Sequence, residues 1–247
     1  MPDDIHRDHP PVEGPLAGAQ DAAPLGGDSS RCGPEHGIRA GVGAAGDDSR
    51  DTRPDRATRY VETSLGVISY SELAPHLAER VTRLEAAVAA EDFVSRPLDE
   101  SLLTEFHARI CGDLIPEWAG KWRGVEVTVG PLTPPAPHLL PVLMREYALD
   151  LQARWDEAAG NDVDLAMEFL AFAEGRFLSI HPFRDFNGRT VRVFLKELLR
   201  RLDLPRVELA PESEAVRANY FAALEAADKR DWQPLTTIWK SRFAPEP

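Results

Sequence analysis

The sequence predicts a mostly α-helical protein, and three observations carry that prediction. From residue 71 onward apolar residues recur at three and four positions through most of the chain. Strict apolar-polar alternation, the mark of a strand, appears in one short stretch only. The Gly-rich strand-loop-helix signatures of nucleotide-binding parallel sheets are absent.

Before the helices lies a different composition. Residues 1–57 hold 9 of the 17 glycines, no Phe, Tyr or Trp, and 11 acidic against 6 basic side chains. Such a segment cannot bury enough apolar surface to offset the entropy of ordering it, so residues 1–58 are expected to form a disordered tail. Leu73, Leu77, Val81, Leu84 and Val88 then draw an amphipathic helix from Ser71 to about Glu91, within a helical extension over residues 59–95. Arg96-Pro97 breaks it, and a helical domain over 96–247 begins. Asp99 is an N-cap candidate for a helix whose face is Leu102, Leu103, Phe106, Ile110 and Leu114.

The alternating stretch is Val125-Glu126-Val127-Thr128-Val129, which predicts a short strand. Gly130-Pro131 turns it and Pro134-Pro135-Ala136-Pro137 resists regular structure, so residues 121–137 read as an extended flap or small hairpin. Such an edge is a template on which an extended segment of a partner docks by main-chain hydrogen bonds. Helical spacing resumes from Leu139 to about Trp155. From the N-cap candidate Asp162 to Ile180 apolar residues fall on every side, as in a buried central helix. Val191, Phe194, Leu195, Leu198, Leu199 and Leu202 give the next helix an apolar face, with Arg189, Arg192, Lys196 and Arg200 opposite. Helices near 212–229 and 232–243 complete the chain.

Charge and cysteine content narrow the function classes. A net charge of −13 argues against a nucleic-acid partner, which asks for a basic face. Two cysteines, Cys32 and Cys111, make neither a disulfide framework nor a metal cluster and suit a reduced, cytoplasmic protein. The start lacks a basic n-region followed by an apolar run, and no stretch reaches membrane-spanning length, so no membrane partner is expected. Export by a route other than Sec stays open.

The chemistry concentrates in His181-Pro182-Phe183-Arg184-Asp185-Phe186-Asn187-Gly188-Arg189-Thr190-Val191-Arg192, where one helix ends and the next begins. Asn187 and Gly188 sit at a helix start, whose unpaired N–H groups and positive dipole end attract an anion. Gly188 permits close approach, Arg189 adds a fork of donors suited to phosphate, and Arg192, one turn on, reaches a second phosphate. Asp185 beside this anion hole is either a helix cap or a ligand for Mg²⁺ lying between it and the phosphates. His181 has the pKa range of a general base. Phe183, apolar in a loop, is expected to point inward and pin it.

These twelve residues resemble the signature of the Fic family, His-x-Phe-x-Asp/Glu-Gly/Ala-Asn-Gly/Lys-Arg-x-x-Arg, with Phe186 standing where that family most often has a small residue. Trp118-Ala119-Gly120-Lys121-Trp122-Arg123 is similar to the stretch that leads into the Fic target-docking flap. The resemblance spans about Pro97 to Leu204 and implies a Fic-type helical bundle with a small β-hairpin flap. It also implies transfer of AMP from ATP to a Ser, Thr or Tyr hydroxyl of a target protein. His181 would deprotonate the hydroxyl, Asp185 would hold Mg²⁺, Asn187, Gly188 and Arg189 would cradle the α- and β-phosphates, and Arg192 the γ-phosphate. Val125–Val129 would align the target. Transfer of phosphate or phosphocholine from a differently oriented donor, and a non-catalytic peptide-binding module, remain open at this point. The inhibitory Ser/Thr-x-x-x-Glu-Gly/Asn helix of regulated members has no full match. Thr58 with Glu62 and Ser101 with Glu105 lack the final residue, which points to a separate antitoxin or to no such inhibition.

Overall fold

The computed structural model describes residues 59–160, 162–211 and 213–244. The tail expected over residues 1–58 lies outside the described residues. In chain order the elements are β1 (Tyr60–Thr63), β2 (Gly66–Ser69), α1 (Tyr70–Ala89), α2 (Glu100–Cys111), a 3₁₀ turn (Pro137–Leu139), α3 (Leu140–Ala158), α4 (Val163–Ile180), α5 (Asn187–Arg201), α6 (Glu214–Asp228) and α7 (Gln233–Arg242). The expected mostly helical architecture with a small antiparallel β element is what the chain forms.

The β element lies in another place than the sequence suggests. β1 and β2 pair antiparallel, Tyr60 opposite Ser69 and Thr63 opposite Gly66, around a two-residue Ser64-Leu65 loop. Gly66 takes a φ of 102°, which its missing Cβ permits, and Thr63 Oγ1 donates to Gly66 O at 2.8 Å. The sequence places this stretch at the front of a helical extension. Its signal was present: β-branched residues on both sides of a turn that ends in glycine.

Val125–Val129, by contrast, is not a strand. The segment is extended, and its β pairing is a single antiparallel bridge between Val129 and Leu132 around Gly130-Pro131. Val125 is 47% exposed, Val127 half-buried and Val129 fully buried, with Glu126 and Thr128 exposed, so only the last part of the segment keeps the alternation of burial. Alternation makes a strand only where a neighbouring strand accepts the ladder, and the prolines after Leu132 cannot donate to one.

The helix starts follow their caps. Ser69 and Glu72 form a reciprocal capping box on α1. Asp99 accepts from the N–H groups of Ser101 and Leu102, and Asp162 from those of Asp164 and Leu165, as their positions predict. α4 is the central helix, packed against α3, α5, α6 and α7, with buried residues on all faces. α1 and α2 cover the far side of α5. Gly175 is what lets α6 and α7 close on α4, since a Cβ there would stand 2.8 Å from Leu235 Cδ1 and 2.9 Å from Ala227 Cβ.

One charged group sits inside this packing and was not singled out in the sequence. Glu174 is 1% exposed; its carboxylate accepts from Tyr220 Oη at 2.7 Å, Trp239 Nε1 at 2.9 Å and Arg242 Nη1 at 3.4 Å. It ties α4, α6 and α7 together. Removing the acceptor strands the buried donors of Tyr220 and Trp239 and takes one partner from half-buried Arg242. Glu174→Leu is therefore expected to lower the unfolding free energy by about 3 kcal/mol in a urea titration, from the usual cost of leaving buried polar partners unpaired. A change below about 0.5 kcal/mol would show the network to be incidental.

Candidate active site

The site is the loop between α4 and α5, and both of its ends use left-handed backbone. His181 ends α4 with φ 49° and ψ 60°, and Phe186 precedes α5 with φ 60° and ψ 16°. Two such residues turn the chain back within six residues, at a steric cost that only tight packing sustains. Asn187 closes the loop: its Nδ2 donates to Phe183 O and its Oδ1 accepts from Phe183 N, both at 2.9 Å. The Asn187 amide is thus committed to loop geometry, and what it offers an anion is its main-chain N–H.

Phe183 points inward as expected and is fully buried. It stacks on the His107 ring at 3.8 Å with an interplanar angle of 6° and lies 5.0 Å from the Trp122 ring. Phe186 is fully buried too, stacked on Trp118 at 5.9 Å and 6°. Its ring is turned into the core and lies beneath the guanidinium of Arg189. The family's small residue suits the left-handed backbone; here a phenylalanine accepts that backbone and fills a core position instead.

The first turn of α5 is Asn187, Gly188 and Arg189, whose N–H groups have no carbonyl partner within the helix. Phe186 supplies no side-chain cap. Asp185 does not cap the helix either, since its Oδ1 accepts from Phe186 N at 2.8 Å. Its Oδ2 lies 2.7 Å from Arg59 Nη2. The carboxylate therefore presents one oxygen to a cation. No group of three or more His, Cys, Asp or Glu that could hold a metal ion occurs among the described residues. One carboxylate is nonetheless enough for Mg²⁺ that arrives with phosphate oxygens as its other ligands.

Arg189 lies over the rings of Tyr70 (5.5 Å) and Phe186 (5.8 Å) and donates to Tyr70 Oη. Arg192 sits one turn further on α5, half-buried. The charged stripe expected along α5 divides here. Lys196 pairs with Glu85 at 2.7 Å and Arg200 with Glu197 at 2.8 Å, so these two serve packing against α1 and along α5.

Two supporting residues have roles that the sequence does not reveal, although Arg123 stands in the stretch that leads into the flap. Arg123, 3% exposed, donates from Nε to His181 O at 2.8 Å, from Nη1 to Val125 O at 2.9 Å and from Nη2 to Pro135 O at 2.6 Å. Its own N–H donates to Pro182 O at 2.8 Å. One guanidinium thus fixes both arms of the flap to the residue that carries the imidazole. His107 is the second. Gly120 N donates to its Nδ1 at 2.8 Å, so the ring proton is on Nε2, 3.2 Å from Asp185 O. Gly120 itself has φ 68°, and a Cβ there would lie 3.0 Å from Thr104 O.

Burial pulls the His107 pKa down to about 4, opposed by its hydrogen bond to Asp185. The same environment pushes the Cys111 thiol up to about 12, chiefly by burial, which leaves it protonated and inert. Glu105, one of the two near-matches to an inhibitory glutamate, pairs with Arg96 and with Arg109 across α2.

Residues 97–199 match the model of the Fic/DOC family. The protein adenylyltransferase fic-1 of Caenorhabditis briggsae is 36% identical over 136 residues, which is 54% of this chain and 25% of that protein. The protein adenylyltransferase Fic of Drosophila melanogaster is 32% identical over 133 residues, again 54% and 25%. The chain thus spans about a quarter of the length of these curated relatives. Among solved structures, the BepC protein of Bartonella tribocorum, a VirB-translocated effector with bound AMPPNP, shares the fold at a TM-score of 0.59 and 17% identity over 81% of this chain and 99% of that one. Fic-1 of C. elegans, residues 134–508, aligns at a TM-score of 0.50 and 25% identity over 66% and 46%. No helix among the described residues is long and apolar enough to cross a membrane.

Two outcomes test this account of the site. His107 ordinarily titrates near 6.5; the folded protein binds that proton only near pH 4, while the unfolded chain takes it up below about 6.5. Stability should therefore fall as pH drops through that window, by about 3 kcal/mol in all. His107→Gln should flatten the slope in urea titrations across pH 7 to 4, and an equal slope in the variant would refute the assignment. Phe186→Gly should relieve about 1 kcal/mol of left-handed backbone cost but lose about 3 kcal/mol of ring burial, a net loss near 2 kcal/mol by thermal unfolding. A stabilised variant would show that the ring packs poorly.

Proposed function

We propose that the protein transfers AMP from ATP to a hydroxyl of a target protein. The observation that carries this reading is the helix N-terminus formed by Asn187, Gly188 and Arg189, without a side-chain cap and flanked by His181, Asp185 and Arg192. Support also comes from relatives named protein adenylyltransferases and from a solved fold relative that holds AMPPNP.

In this reading the α- and β-phosphates meet the N–H groups of the first turn of α5 and the guanidinium of Arg189, and Arg192 takes the γ-phosphate. Asp185 would hold Mg²⁺ that arrives with the nucleotide, and the chemistry that ion would supply is neutralisation of phosphate charge. The target lies along exposed Val125, Glu126 and Thr128 and half-buried Val127, ahead of buried Val129. His181 takes the proton of the target hydroxyl as its oxygen bonds to the α-phosphorus. The bond from that phosphorus to the bridging oxygen breaks and pyrophosphate leaves. Catalysis is then mainly positioning and charge stabilisation, and the Arg123 clamp contributes by holding target flap and base in one register. A separate antitoxin, in place of a built-in inhibitory helix, belongs to the same reading.

The test incubates the full chain, alone and with cell extract, with ATP labelled at either the α- or the γ-phosphate. Label from the α-phosphate is expected on protein, reduced at least about a hundredfold in His181→Ala, the usual scale of a lost general base. Arg192→Ala should demand more ATP while retaining its fold. Transfer of γ-label alone would identify a phosphotransferase instead, and no labelling or nucleotide binding at all would leave a peptide-binding module.

A further inference from the structure

We propose that Arg59 is a resident counter-ion of Asp185 which a divalent cation must displace, so that the β1–β2 hairpin sets the metal demand of the site. This rests on the transferase reading and adds to it a restraint supplied by the chain itself.

The geometry carries it. Asp185 has one oxygen on the Phe186 N–H at 2.8 Å and the other 2.7 Å from Arg59 Nη2, with the two side chains 11% and 24% exposed. The oxygen that would face a metal thus faces a guanidinium. Mg²⁺ binds carboxylate oxygen at about 2.1 Å, closer than a guanidinium, so both cations on one oxygen would stand within a few ångströms in a mostly buried site. They exclude one another.

The residue that places Arg59 also holds the first phosphate-site arginine. Tyr70 N donates to Arg59 O at 2.7 Å, and the Tyr70 ring lies under the guanidiniums of both Arg59 (5.9 Å) and Arg189 (5.5 Å). Arg189 also donates to the Tyr70 hydroxyl. One junction, between β2 and α1, therefore engages the acid and the arginine on either side of the anion hole. The hairpin is well suited to yield. It has two strands of four residues and is tied to the end of α2 by Ser64, whose N donates to Leu114 O at 2.8 Å and whose Oγ donates to Asp113 O at 2.7 Å. A two-stranded ribbon of this size has little stability of its own.

The test measures metal affinity directly. Free Mn²⁺ is followed by electron paramagnetic resonance in the presence of a non-hydrolysable ATP analogue, for the full chain, Arg59→Gln and Arg59→Lys. Arg59→Gln is expected to bind Mn²⁺ about three- to tenfold more tightly, the scale of one lost partly buried ion pair, and Arg59→Lys to stay near the parent. Adding Asp185→Asn to Arg59→Gln should abolish the gain. If Arg59→Gln melts early, Arg59→Met keeps the side-chain stem over Tyr70 and serves in its place. Unchanged Mn²⁺ affinity on removing the guanidinium, or a gain that survives Asp185→Asn, overturns this inference and leaves the transferase reading standing. No Mn²⁺ binding in any form overturns both.

Discussion

The two hydrogen bonds between the Asn187 carboxamide and the Phe183 main chain are the constraint on which the site depends. They close a loop whose two ends, His181 and Phe186, are both left-handed, a conformation that neither residue favours alone. A short buried loop must pair its own polar groups, and this one does so through a single side chain placed at the start of the next helix. The residue that ends this loop at the N-cap of α5, Phe186, has no acceptor side chain, so the first turn of α5 stays uncapped. The anion hole is thus a by-product of how the loop is closed.

Around that loop the protein spends buried polar groups on position. Arg123 bonds the carbonyl of His181 to those of Val125 and Pro135, so flap and imidazole share one support. His107 joins Gly120 to Asp185 through opposite ring nitrogens, an arrangement that suits a neutral ring, and burial is what lowers its pKa. The aromatic rings complete the link, with Phe183 between His107 and Trp122, and Phe186 against Trp118. Buried networks of this kind are costly when broken and rigid when whole. They explain why a loop so strained holds one shape.

Much of this was legible in one dimension. Asp99 and Asp162 announce their helices because an N-cap needs only a short acceptor beside the first free N–H groups. Val163 to Ile180 announces a buried helix because its apolar residues leave no polar face. The grouping of His181, Asp185, Asn187, Gly188, Arg189 and Arg192 was legible because all lie within twelve residues. The alternation at Val125–Val129 misled for the converse reason: a strand is defined by its neighbour, and among the described residues this stretch pairs only through the single Val129–Leu132 bridge. The hairpin at Tyr60–Ser69 was overlooked beside the stronger helical period that follows it.

The sequence by itself determined the helices, their caps and the residues that make up the anion site, since each rests on spacing within a few residues. Tertiary structure decided what those residues do with their hydrogen-bonding groups. Only in space does the Asn187 side chain turn to Phe183, the Phe186 ring turn into the core, and Arg59, over a hundred positions upstream, meet Asp185. Arg123, His107 and Glu174 belong with these. Their partners lie tens of residues away, and burial, which raises the cost of an unmet polar group, is a property of the folded chain alone.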